Sequence, residues 1–467
     1  MDIEITSSNP LAASLDDRQG HRGHSLASAS ALLQECPRLH SSEDGASCAS
    51  AKTLVSPRGV TRGDFRTRLA KRIFLKTLEE VRSGCLELAC SDGVYTFGNP
   101  AVPPQATVFV HDDRFFARAL FGADVGIGES YMDGDWTSPN VADVVRFGIR
   151  NLSLMENRNR VFSALNRGLN LLRHRLRPNT PAGSQKNIHA HYDLGNEFFR
   201  LFLDPNLAYS CAYYESAQDS LEQAQLRKFD RICRKLELQP EDHLLEIGTG
   251  WGGFAAHAAS HFGCRVTTTT ISRKQYEYAG GWFVRQGLDE SRIRLLPQDY
   301  RDLSGQFDKI ASIEMFEAVG YDYYDEFFSI CNRLLKPGGT MLLQTITMNE
   351  KRFPRYRHET DWIQKHVFPG SELASLPGIL ASLARATDLS LSHAEDIGLH
   401  YVYTLRAWRE QFNGALESVR QLGFDDRFVR MWDFYLAYCE AAFRERYIGD
   451  FQLVFRKNDN HPIIRKG

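Results

Sequence analysis

From residue 64 onward the hydrophobic positions fall into two different rhythms. In the first part, Leu69, Ile73, Leu75 and Leu78 recur at helical spacing, and short strand-like runs follow at 85–90 and 106–111. These elements predict a small α+β domain over 64–150. It ends in GADVGIGESYMDGDW at 122–136, where the glycines predict turns and Tyr131, Met132 and Trp136 are expected to pack inside rather than touch a ligand. Beyond 184 the rhythm changes. Apolar runs at 243–247, 265–270, 310–313 and 340–346 alternate with helical periodicity, the order of a doubly wound parallel sheet. The Ser220–Gln223 spacing predicts a capping box ahead of a helix through Phe229, Ile232 and Leu236. Residues 337–339 (Pro-Gly-Gly) predict a turn that closes another helix before the strand at 340, and the aromatic-rich stretch 443–455 reads as ordinary core. The expected class is therefore α/β, a Rossmann-like doubly wound domain over 184–460 with a smaller α+β domain at its amino-terminal side.

Two segments follow neither rhythm. Residues 1–63 are rich in Ser, Ala, Gly and His and are expected to form a disordered extension. Residues 151–183 form a basic amphipathic linker: Arg158, Arg160, Arg167, Arg173, Arg175 and Arg177 stand against Glu156, beside a stripe of Phe162, Leu165, Leu169, Leu172 and Leu176. Two readings stay open, a helix lying on an anionic membrane surface and an interdomain helix with its arginines in water. PNTPAG at 178–183 ends it.

Composition narrows the function classes. At 467 residues, with 43% hydrophobic and 24% charged, the chain needs more than one core. No apolar run approaches the roughly 20 residues that span a bilayer, so membrane contact is expected to be peripheral. A formal charge of -2 speaks against wholesale nucleic-acid binding. The nine cysteines show no paired CxxC units, so no metal site is expected and a reduced, cytoplasmic compartment is. The amino terminus shows neither a secretory signal nor a transit peptide.

The strongest local signal is LLEIGTGWGGFA at 244–255, a strand running into a glycine-rich turn and a helix. Gly248, Gly250 and Gly252 let the backbone turn tightly and approach a ligand, with Glu246 just ahead. A dinucleotide enzyme places an acidic residue about 20 positions further on to bind a ribose. This chain has TTTTIS there, with Thr270 and Gln275 as neutral partners and Asp299 and Tyr300 after the third strand to hold a base. That pattern suits S-adenosylmethionine better than NAD.

Taken with that loop, HYDLGNEFF (191–199), LAYSCAYY (207–214), QDYRDL (298–303), IEMFEAVG (313–320), WIQKHVFPG (362–370) and HYVYTLRAW (400–408) are similar to the motifs of cyclopropane-fatty-acyl-phospholipid synthases and the related mycolic-acid and branched-fatty-acid methyltransferases. The resemblance covers about 187–456 in the family's order, and 65–149 also looks like the family's amino-terminal domain. It implies a methyltransferase fold in which Tyr209, Ser210, Glu246, Gly248, Gly250, Gly252, Thr270, Gln275, Asp299 and Tyr300 line the S-adenosylmethionine pocket. It further implies that Cys211, Glu317, Ile346 and Tyr401 surround a bicarbonate ion beside the transferred methyl group. Two positions depart from the best-known pattern, Ala318 and Gln344, where many members have histidine. The implied substrate is an unsaturated acyl chain of membrane phospholipid, reached by peripheral contact with an anionic inner membrane face, and a homodimer through the smaller domain is expected.

An isolated alkene is a weak nucleophile, so the sulfonium methyl has to meet the π-bond in line in a dry pocket. The resulting carbocation closes to a cyclopropane when a base removes a proton from the new methyl group. Glu317 is expected to orient that base, Tyr401 to donate a hydrogen bond to it, and Gln344 to position the anion without taking its proton. Read alone, Cys211 is a small buried residue whose backbone matters more than its thiol, Glu317 a helix cap and Tyr401 a core aromatic. Three other functions stay open: methyl or methylene branching of the same chain, methylation of a soluble molecule at O or N, and a lipid-binding scaffold with a decayed cofactor site.

Overall fold

The computed structural model describes residues 65–154, 194–216 and 218–458. The extension at 1–63, nearly all of the basic linker at 151–183 and the first three residues of HYDLGNEFF lie outside the described residues. No helix among the described residues is long and apolar enough to cross a membrane.

The first part is a four-stranded sheet in the order β2-β1-β3-β4, formed by β1 (Cys85–Cys90), β2 (Gly93–Gly98), β3 (Gln105–Val110) and β4 (Trp136–Thr137). Helix α1 (Phe65–Leu78) buries Ala70 and Leu78 and sets Phe74 edge-on to Phe115 and Phe116. The stripe expected from periodicity is only partly inward. Leu69 and Ile73 remain 47% and 40% exposed, because the Ala70–Phe74 face is the one that meets the aromatic pair.

Residues 122–136 also differ from expectation. Most of the stretch is helix, α2 (Arg114–Met132), kinked where Ala123 takes φ 49°, and the turn is confined to Gly134 at φ 78°. Two of the glycines inside the helix, Gly126 and Gly128, serve close approach instead. A Cβ on Gly126 would fall 2.1 Å from the Arg118 carbonyl oxygen, and one on Gly128 2.4 Å from the Trp362 ring. Met132 and Trp136 are fully buried, and Tyr131 donates to Asp433 at 2.8 Å, so the packing reading holds. Helix α3 (Val141–Arg150) begins at an Asn140 cap and ties back through Arg146 and Arg150 to Glu445.

The second part is a seven-stranded sheet. β5 (His243–Ile247), β6 (Arg265–Thr269), β7 (Ile293–Leu296), β8 (Phe307–Ile313) and β9 (Leu335–Met348) run parallel, and β10 (Leu389–Asp396) and β11 (Ile448–Lys457) complete the order β10-β11-β9-β8-β5-β6-β7 with antiparallel pairing. The chain winds outward from β5 to β7 and then returns to β8 on the other side. The switch point between β5 and β8 opens a crevice at their carboxyl ends. Helix α4 (Leu221–Lys235) starts at the predicted capping box, α5 (Gly253–Phe262) follows the glycine turn, and α6 (Arg273–Arg285) follows β6. Helix α7 (Tyr324–Leu334) stops ahead of the Pro-Gly-Gly turn. β9 already begins at Leu335, and pairing skips from Phe307–Leu335 to Lys309–Thr340, so the turn is an irregularity within the strand.

The sheet is apolar on both faces, as its covering helices require. Val266, Leu244 and Phe254 belong to one layer and Ile310, Phe327 and Leu343 to the other. A third core joins the two sheets. In it Phe198, Phe199 and Phe202 meet Trp251 and Trp432, in continuity with Trp136 and Trp362. Two long helices of the second part, α8 (Gly398–Gly414) and α9 (Asp426–Arg444), supply most of that core's wall. Phe443, Leu453 and Phe455 are buried as expected, but Asp450 and Gln452 are buried among them.

Candidate active site

The turn after β5 takes its shape from its glycines. Gly248, Gly250 and Gly252 have φ of 103°, 53° and 92°, a region that side-chain-bearing residues rarely enter. A Cβ on Gly252 would sit 2.7 Å from the Phe283 ring, whereas one on Gly250 would meet nothing within 4 Å. Gly250 therefore borders open space. That space is a cavity of about 350 Å³, and Tyr209, Ser210, Glu246, Gly248, Gly250, Thr270, Gln275, Asp299 and Tyr300 line it. Gly252 does not line it and acts as the amino-terminal cap of α5.

The partners at this end are mostly short and neutral. Thr270 donates to Gln275 at 3.0 Å, Tyr209 and Tyr435 share a hydrogen bond between their hydroxyls at 3.0 Å, and Asp299 accepts from Arg301 at 3.0 Å. Glu246 accepts from Thr268 at 2.5 Å, and its burial pushes the carboxyl up to about 8. Lys228, fully buried, donates to Ser210 at 2.7 Å, and burial pulls its ammonium down to about 8.

Across the cavity the wall becomes apolar, with Ile346, Phe368, Leu405, Phe443 and Ile448 on it. Glu317, Ile346 and Tyr401 of the expected anion site line this end, while Cys211 and Gln344 stand behind it. One expectation is corrected here. Tyr401, expected to donate to a bound base, donates to the Glu314 carboxylate at 2.6 Å. The other Glu314 oxygen accepts from the Cys211 backbone N–H at 2.7 Å and from the Gln344 amide at 2.8 Å. Glu317 accepts from the Ile346 N–H at 2.6 Å and the Thr345 hydroxyl at 2.9 Å, and its second oxygen has no partner among the described residues. The Cys211 thiol is pushed well up by burial and turned toward carbonyl oxygens, so its contribution to the site is its N–H.

The bicarbonate implied by the resemblance does not fit this arrangement. The Cys211 N–H and the Tyr401 hydroxyl are spent on Glu314, Ile346 is spent on Glu317, and a further anion would lie against two buried carboxyl groups. Glu317 is pushed up to about 7, first by burial and then by the charge of Glu314. Asp450, which accepts from Gln344 at 3.2 Å, is driven well up by burial and by Glu314. Glu314 is also raised by burial, but three donors and the positive charge of Lys228 pull against that rise, whereas the charge of Glu314 pushes Asp450 further up.

Sequence reasoning missed Glu314, Asp450 and Lys228. For Glu314 one signal was present, an acidic residue just past the carboxyl end of β8, where sheets of this topology bind ligands.

Residues 180–453 match the family model described as mycolic acid cyclopropane synthetase. Among curated proteins the chain is similar to a tuberculostearic acid methyltransferase of Mycobacterium tuberculosis, at 36% identity over 82% of this chain and 90% of that one. It is likewise similar to the cyclopropane-fatty-acyl-phospholipid synthase of Escherichia coli, at 37% identity over 75% of this chain and 88% of that one. Among solved structures, a mycolic acid cyclopropane synthase complexed with SAH and CTAB superposes with a TM-score of 0.54 at 32% identity, covering 58% of this chain and 98% of its own.

Proposed function

The chain belongs to the mycolic acid cyclopropane synthetase family and is an S-adenosylmethionine-dependent methyltransferase, and from that premise we propose that it alkylates the cis double bond of an unsaturated acyl chain in membrane phospholipid, closing a cyclopropane ring. The observation that carries this reading is one enclosure with two linings: the glycine turn at one end, and an apolar wall ending in buried carboxyl groups at the other. S-adenosylmethionine, when bound, supplies an electrophilic methyl group. Tyr209, Ser210, Glu246, Gly248, Gly250, Thr270, Gln275, Asp299 and Tyr300 would hold it, and the space beside Gly250 is open.

The chain's own residues do the rest. Ile346, Phe368, Leu405 and Phe443 bind the acyl chain and exclude water, so that a cation on the alkyl chain is not quenched by solvent. The carboxyl groups face that cation in a medium where opposite charges interact strongly. Removing carboxylates from water costs several kcal/mol per charge, so their burial is a poor device for stability and a suitable one for catalysis.

Peripheral contact with an anionic membrane surface belongs to the same reading. Helix α1 supports it by leaving Phe65, Leu69 and Ile73 exposed beside Arg66, Arg68 and Arg72, with no acidic residue in the helix. A cytoplasmic location at the inner membrane face and a homodimer remain parts of this proposal. Gln344, in place of histidine, favours a second reading, methyl or methylene branching of the same chain.

The test is expression in a host lacking cyclopropane lipids, followed by proton NMR of its fatty acids. Upfield ring protons are the expected result and vinylidene signals would select branching. Unmodified acyl chains in the presence of bound S-adenosylmethionine would sink both.

A further inference from the structure

We infer that the Glu314 carboxylate stands where the resemblance puts a bicarbonate ion, and that it takes the proton released after methyl transfer, so turnover needs no dissolved base. The inference rests on the acyl-chain reading above and deepens it.

Three observations carry it. The first is the donor set. The Cys211 N–H at 2.7 Å, the Gln344 amide at 2.8 Å and the Tyr401 hydroxyl at 2.6 Å converge on one carboxylate, satisfying both oxygens as they would an inorganic anion.

The second is the polarity of the chain of amides behind it. Lys235, whose ammonium can only donate, donates to the Gln452 carbonyl at 2.6 Å, the Gln452 amide N–H donates to the Gln344 carbonyl at 2.9 Å, and the Gln344 amide N–H is thereby turned toward Glu314. An ammonium at the end of helix α4 thus fixes Gln344 as a donor, which suits a resident carboxylate and bars Gln344 from accepting the proton.

The third is the backbone. Glu314 adopts φ 49°, a conformation glycine takes freely and a side-chain-bearing residue takes at a cost. A buried carboxyl group held on a strained backbone is doubly unfavourable for folding, which points to its use in the reaction.

As the methyl leaves the sulfonium, the π-electrons bond it to one alkene carbon and leave the other carbon cationic. A C–H pair of the new methyl group then closes onto that cation as the third ring bond, and the proton passes to Glu314, which becomes a carboxylic acid. In the branching variant a hydride first shifts to the cation, and the same C–H pair becomes the methylene double bond while the proton goes to the same carboxylate.

The test uses the purified full chain, S-adenosylmethionine and vesicles of phospholipid with cis-unsaturated acyl chains, in buffer purged of carbon dioxide, with and without added bicarbonate. Binding of [13C]bicarbonate is followed independently by NMR line broadening. The wild type is expected to turn over within about two-fold either way and to show no saturable bicarbonate binding, whereas Glu314→Gly loses roughly 100-fold and recovers at least about ten-fold on adding bicarbonate, which it now binds. Glu314→Gln is expected to lose as much and recover nothing, because its amide still fills the position. Calorimetric affinity for S-adenosylmethionine confirms that the variants are folded.

Wild-type turnover that rises roughly ten-fold with bicarbonate, saturable bicarbonate binding to the wild type, or a fully active Glu314→Gln would each overturn the inference. Should the wild type modify no lipid, the acyl-chain reading fails. The binding experiment still decides this one, for binding to Glu314→Gly and not to the wild type supports it and binding to the wild type overturns it. Should Glu314→Gly not fold, the wild-type measurements decide alone.

Discussion

The two ends of the cavity are made of opposite materials. Under the glycine turn the protein offers backbone, neutral groups such as Thr270 and Gln275, and two separate carboxyl groups, Glu246 bonded to Thr268 and Asp299 paired with Arg301, while the nearby cation, Lys228, is weakened by burial. At the other end, Gln344 bridges the carboxyl groups of Glu314 and Asp450, and Glu317 adds a third buried carboxyl group held by Thr345 and Ile346. The contrast follows from what each end receives. A sulfonium cofactor arrives with its own charge and needs shape and modest hydrogen bonds, whereas an alkyl chain arrives neutral and becomes positive only during the reaction, so the protein has to hold the counter-charge in advance.

If the division is real, it can be broken at either end separately. The largest effect is expected from Glu317→Gln, which should lower turnover by roughly 100-fold or more while calorimetric affinity for S-adenosylmethionine stays unchanged. A parallel loss of affinity would mean the two ends are not separable. Gly252→Ala attacks the other end: a Cβ 2.7 Å from Phe283 at φ 92° should destabilise the fold by about 1–3 kcal/mol, read as a lower thermal midpoint, and weaken cofactor binding. An unshifted midpoint would show that the turn relaxes.

A subtler cut is Gln452→Leu, which frees the Gln344 amide without touching the cavity. Loss of one net hydrogen bond, about 1 kcal/mol, should lower turnover roughly five-fold. A carboxylate that loses a donor titrates higher, so the acid limb of the pH–rate profile should also move to higher pH. A fall in rate with an unmoved profile would assign Gln452 to packing alone.

The smallest effect concerns stability. Burial raises Glu317 and Asp361 to about 7 and Glu246 to about 8, all above their unfolded values. Groups raised in this way contribute stability that is complete below the unfolded value and lost as pH rises through the folded one. The cofactor-free protein should therefore unfold at lower denaturant as pH rises from about 4.5 to about 8, and Glu317→Gln should flatten that slope below about pH 7. A midpoint that rises over the same interval would contradict the burial of these groups.

What was legible in the sequence was whatever neighbouring residues decide among themselves. β1 and β5 appear with the predicted bounds, the Ser220 capping box forms, and the glycine turn lies where its spacing put it. The acceptor end was not legible in this way. Both glutamates of IEMFEAVG were visible, but which one receives Tyr401 depends on φ 49° at Glu314 and on donors brought in from residues 211, 344 and 401. Asp450 and Gln452 were hidden in a stretch whose aromatic neighbours marked it as core, because alternation along β11 sends polar side chains to the face that covers Gln344. Helix α1 misled for a related reason: periodicity reports an apolar stripe but not what the stripe will meet.

The contact between Gly128 and Trp362 bears on modularity. The solved relative aligned over 98% of its length matches only 58% of this chain. Here the indole of Trp362 lies where any side chain at 128 would stand, and Phe434 closes the same gap. The seam between the two sheets is therefore moulded rather than hinged. A trimmed version of this chain would bare a tryptophan and a phenylalanine, and borrowing the shorter architecture would require re-surfacing those two positions first.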